Sequence, residues 1–61
     1  MRIKEIRLNK GYPQRYVACV LGIKQNTYSD KERGKTNFTV AEIKVLKKVF
    51  NVTYEELLGE C

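Results

Sequence analysis

Residues 14–33 read QRYVACVLGIKQNTYSDKER, and their punctuation decides the fold. A first helix is predicted through Leu21. Gly22-Ile23 leaves room only for a sharp turn before a second helix begins at about Lys24. Glycine takes the left-handed conformation that stops a helix without a steric penalty. Ala18 lies inside the first helix, where a small side chain lets the second approach closely. Val17, Leu21, Ile23 and Tyr28 supply the apolar contacts that fix the angle between the two helices.

Outward from this stretch the same signals recur. Gly11, Gly34 and Gly59 each follow a run with helical apolar spacing. Thr39-Val-Ala-Glu42 and Thr53-Tyr-Glu-Glu56 read as capping boxes, and Pro13 suits a first helical turn. Five helices are predicted, at about 2–10, 13–21, 24–33, 40–50 and 54–58. Ile3, Ile6, Val17, Leu21, Tyr28, Val40, Ile43, Leu46 and Phe50 recur at spacings of three or four and form the expected core stripes. Ile23 and Val52 plug the ends, and Leu57 belongs to the same core. Nothing alternates with period two, so strands are not expected. Lys35–Phe38 reads as an extended loop.

A chain of 61 residues has room for one domain over 1–61 and one small core. A domain of this size gains from a staple, a metal or a partner chain. Cys19 and Cys61 allow at most one bridge, and without histidine no zinc-ligand cluster is expected. No cofactor is implied, and no acid pair or glycine-rich phosphate loop supports an enzyme. The opening MRIKEIRLNK lacks the apolar core of a signal peptide, and no apolar run nears the roughly 20 residues of a membrane span. The expected location is the cytoplasm. Net charge is +5, unevenly spread. Residues 1–35 carry nine Lys and Arg against three acids, while residues 36–61 carry three against four. A basic half suggests a polyanionic partner.

The second helix of the pair supplies a candidate reading surface. Gln25, Asn26, Ser29 and Asp30 share one face, at i, i+1, i+4 and i+5, while Tyr28 and the Lys31 stem point the other way. Gln and Asn amides pair a donor with an acceptor, which matches adenine in the major groove, and Asp accepts from cytosine N4. Lys10, Arg15, Arg33 and Lys35 flank this face as candidate phosphate contacts. Two helices with a tight glycine turn and such a face meet the physical specification of a helix-turn-helix over about 14–33.

The chain resembles the Cro/repressor-type (XRE-like) helix-turn-helix domain. The resemblance runs through RIKEIR, KGYPQ, the spacing Ala18-x-x-x-Gly22, TYSDKERGK and FNVTYEELL. It implies an all-α, five-helix, Cro/lambda-repressor-like domain that binds double-stranded DNA, and many such domains dimerise. It also places Gln25, Asn26, Ser29 and Asp30 at base-reading positions and Gln14 at a phosphate. Arg7 and Glu32 fall where the family often has a structural ion pair. The chain departs from the pattern at Pro13 and Tyr16, which remove a capping box. It departs again at Lys31 and Lys47, where apolar or small residues are usual, and at Phe38, which stands for a loop proline.

The expected function is a transcriptional regulator, a repressor, acting as a homodimer on a palindromic operator. The expected dimer surface is the segment from Asn51 to Leu58, with Tyr54 and Leu58 exposed because Val52 and Leu57 serve the core. Val45 lies beside it, off the core stripe. A protein-binding helix-turn-helix, such as an antitoxin or antirepressor partner, remains the alternative. A membrane-surface peptide fits less well, because its aromatics would have to face out opposite lysines.

Overall fold

The computed structural model describes residues 2–58. Its helices are α1 (Ile3–Lys10), α2 (Gln14–Leu21), α3 (Gln25–Glu32), α4 (Val40–Phe50) and α5 (Tyr54–Leu58). There is no strand among the described residues. Residues Gly59 and Cys61, read above as a helix stop and half of a possible bridge, lie outside them.

Each helix ends or begins for a local reason. Gly22 has φ 74°, and the turn it makes lets the Ile23 N–H donate to the Ala18 carbonyl at 3.0 Å. A residue with a Cβ pays for that conformation, so glycine belongs there. Both predicted capping boxes form. The Glu42 N–H donates to Thr39 Oγ1 at 3.1 Å, and the Thr39 N–H donates to Glu42 Oε1 at 2.8 Å. Thr53 and Glu56 repeat the exchange, both bonds at 3.1 Å. α4 ends at Phe50, where the sequence places it, but the residue that stops it is not a glycine. Asn51 closes it in the left-handed region at φ 55°, and the Val52 N–H reaches back to the Lys47 carbonyl. Asparagine is the commonest substitute for glycine at such a stop.

The core contains Ile3, Ile6, Val17, Ala18, Tyr28, Phe38, Leu46, Phe50 and Leu57, all buried. Leu21, Ile23, Ile43 and Val52 pack against it half-buried. α2 packs on α3 and α4, and α1 packs on α4 and α5. The Arg2 N–H also donates to the Leu57 carbonyl, which ties the start of the described chain to α5. Tyr12 stacks on Phe50 at 6.0 Å and carries Tyr16 stacked outside it at 5.2 Å.

Three expectations are corrected. Val40 is not in the core; it is 71% exposed. It is the first residue of α4, and the capping box turns it outward while drawing in Phe38, the residue before the cap. Phe38 is buried and Ile43, four positions into the helix, packs on the same core, the arrangement of a hydrophobic staple. The loop before α4 is accordingly not an extended tether. Gly34 and Lys35 fold back onto α3 through N–H bonds to Lys31 and Asp30. Pro13 is the cap of α2 and not a residue of its first turn. Its backbone is extended, and its carbonyl accepts from Val17 N–H.

Candidate nucleic-acid interface

The inner face of α3 is anchored at one carboxylate. The Glu32 side chain is 1% exposed, and burial alone would raise its pKa. Four donor bonds compensate. Arg7 Nε donates to Oε2 at 2.8 Å and the Arg7 Nη2 to Oε1 at 3.2 Å. The Tyr28 hydroxyl donates to Oε2 at 2.6 Å, and Gln14 Nε2 donates to Oε1 at 2.9 Å. Together these outweigh burial and hold the carboxyl below its ordinary value. The same contact raises Arg7 against its own burial, and burial together with the Glu32 bond drives the Tyr28 phenol up. Arg7 Nη1 is used as well, donating to the Tyr12 carbonyl at 2.7 Å. Three helices, α1, α2 and α3, therefore meet at a single ion, and no buried side-chain polar atom among the described residues lacks a partner. The join includes Gln14 and the Tyr28 hydroxyl, which neither helical spacing nor the family resemblance places there.

The outer face of α3 contrasts with this. Gln25 and Asn26 are exposed and Ser29 half-buried, and none of the three side chains is hydrogen-bonded among the described residues. Asp30 is different: its carboxylate pairs with Arg33 one turn on. A candidate base reader and a candidate phosphate contact thus meet each other, which lowers the charge each presents. Lys10, Arg15 and Lys35 are exposed.

The helix starts divide in the same way. α4 and α5 satisfy their first N–H groups with their own Thr and Glu side chains. α1 follows Arg2, α2 follows Pro13 and α3 follows Lys24, and none of the three has a side-chain cap. Their first N–H groups are left for an outside acceptor, and a helix start favours an anion.

A family model described as helix-turn-helix matches residues 3–57. The chain belongs to the Cro/repressor-type helix-turn-helix family. This helix-turn-helix chain is also similar to the HTH-type transcriptional regulator AnsR of Bacillus subtilis (strain 168). The two are 34% identical over 58 residues, which covers 95% of this chain and 50% of that protein. The chain thus spans half the length of this curated relative. No solved structure matches it. The family is one of DNA-binding regulators of transcription, not of enzymes. Among the described residues no helix is long and apolar enough to cross a membrane, and no group of side chains would hold a metal ion.

Proposed function

We propose that this helix-turn-helix domain binds specific duplex DNA sequences in the cytoplasm and represses transcription by occupying its operator. The observation that carries the reading is the two-sided character of α3. One side is fixed through Tyr28 and Glu32, and the other offers Gln25, Asn26 and Ser29 with no internal partner. α3 has eight residues. At about 1.5 Å per residue that is about 12 Å, close to the width of the major groove. Gln25 and Asn26 read base edges through their amides. Ser29 and Asp30 extend the same surface, Asp30 by exchanging Arg33 for a cytosine amino group. Gln14 keeps one amide hydrogen for a phosphate while Glu32 holds the other. Lys10, Arg15, Arg33 and Lys35 add backbone contacts.

Reach supports operator binding by a symmetric homodimer. The longest dimension of the domain is 27 Å. Successive major grooves on one side of a duplex are about 34 Å apart, so one domain covers one half-site and two cover a palindrome. On α5, Tyr54 is 42% exposed and Leu58 38%. Lys47 Nζ lies 5.1 Å from the Tyr54 ring centroid. Tyr54, Leu58 and the neighbouring Asn51 are the proposed contact between copies.

Selection of bound duplexes from a random pool tests both points. A palindromic consensus occupied by two chains is expected, and Leu58→Lys should abolish two-chain occupancy while leaving the helical signal intact. Recovery of no preferred sequence, or one chain per site, would count against this reading.

A further inference from the structure

Lys31 sits on the inner side of α3, one residue before Glu32, and its side chain is only 12% exposed. An apolar side chain would fill that space at no desolvation cost. The ammonium must therefore be explained by what its end does. It donates to the Asn37 carbonyl at 2.8 Å and pairs with Glu42 Oε1 at 3.2 Å. It also lies 6.0 Å from the centroid of the Phe38 ring. Glu42 is the same carboxylate that closes the α4 capping box. Burial would raise its pKa, and the bonds from Thr39 and Lys31 bring it below its ordinary value instead. One side chain of α3 thus fastens both the loop that follows it and the start of α4.

The loop so fastened carries Lys35. Its backbone N–H donates to the Asp30 carbonyl at 2.9 Å, on the N-terminal side of the strap. Asn37, two residues on, is held by Lys31, and Phe38 beyond it is buried against Tyr28 with ring centroids 6.0 Å apart. The backbone on both sides of Lys35 is therefore fixed to α3, while Lys35 itself is exposed.

We propose that Lys31 is a positioning residue for DNA-backbone contact: it holds the loop after α3 in one shape and so presents Lys35 to a phosphate that lies in register with the bases read by Gln25 and Asn26. This rests on the DNA-binding reading above. A pre-shaped loop avoids the ordering cost that a free loop meets on binding. Its contact is to phosphate, so its loss should weaken all duplexes alike.

The test is a double-mutant cycle on the whole chain, with affinity for a selected duplex and a random duplex measured over a salt series. Lys31→Met keeps the apolar stem and removes the donor. It should weaken both duplexes by about 3–10-fold and lower the slope of log affinity against log salt by about 0.9, one phosphate contact. Lys35→Ala should do the same, and the two changes together should cost no more than Lys35→Ala alone. Lys31→Arg should restore binding. Glu42→Gln retains a capping-box residue but neutralises the partner of Lys31, so it gives a milder loss that again vanishes in the Lys35→Ala background. It serves as the measurement if Lys31→Met fails to fold. Equal binding and slope for Lys31→Met and the unaltered chain, or full additivity with Lys35→Ala, overturns the inference alone. An unaltered chain that binds no duplex overturns it together with the function it rests on.

Discussion

The two faces of α3 are eight residues of one helix with opposite chemistry. Inward, Tyr28 and Glu32 are fully engaged with Arg7 and Gln14. Outward, Gln25, Asn26 and Ser29 make no side-chain bond among the described residues. A polar group left without a partner in the interior is costly, whereas on the surface water satisfies it. Polarity on the inner face therefore has to be solved internally, and polarity on the outer face remains available to a ligand. The difference teaches where the fold's own bonding ends: one helix is divided along its length into a face committed to stability and a face left open for the recognition proposed above.

The sharpest way to break this contrast is Arg7→Met. It strands the Glu32 carboxylate in the interior, and removing one partner of a buried ion pair costs about 3–5 kcal/mol. For a 61-residue domain that is a large share of the total. Urea unfolding followed by circular dichroism should show a large loss or an unfolded chain, and a shift of only a few tenths would mean that the ion is not buried in solution.

Next comes acid. Glu32 is held below its ordinary pKa when folded, so its contribution is fully present above the unfolded value, about 4.3, and is lost as pH falls through the lower, folded one. Glu42 acts in the same direction. Stability should decline below about pH 4. Tyr28→Phe, which removes one donor to a charged acceptor at a cost of about 1.5–3 kcal/mol, should move the decline to higher pH. An acid limb that Tyr28→Phe leaves in place would separate the hydroxyl from the ion.

Gln25→Ala and Asn26→Ala sharpen the outer half of the contrast. Stability should change by no more than about 0.5 kcal/mol. Preference at single base pairs should fall by about 1–3 kcal/mol, as read by competition between the selected site and its point variants. Loss of stability without loss of preference would reverse the roles assigned to the two faces.

What was legible in the sequence was what is local. Gly11, Gly22 and the two Thr-to-Glu boxes mark helix ends because a cap involves residues at most a few positions apart. Asn51 carries the same kind of signal, an asparagine after Phe50 with Lys47 and Lys48 in the last turn. Val40 and Phe38 were exchanged because burial at a helix start depends on the entry angle of the chain, which spacing alone does not supply. The Arg7–Glu32 pair came only from the family resemblance. That Gln14 and the Tyr28 hydroxyl join it was not visible, since polar groups find partners across the fold and leave no period in the sequence.

The sequence separations within the Glu32 join also predict an order in time. Tyr28 is one helical turn from Glu32, so their bond is available as soon as α3 forms. Gln14 is 18 positions away and Arg7 is 25. Closing the longer loops has an entropic cost that local contacts escape. The carboxylate is then expected to lose its water only when α1 docks, late, after the rate-limiting step of folding. On that sequence of events Arg7→Met speeds unfolding and leaves the refolding rate almost unchanged. In stopped-flow experiments the unfolding arm of the chevron should rise while the refolding arm stays in place, so the ion acts as a latch on the finished domain and not as a seed for it.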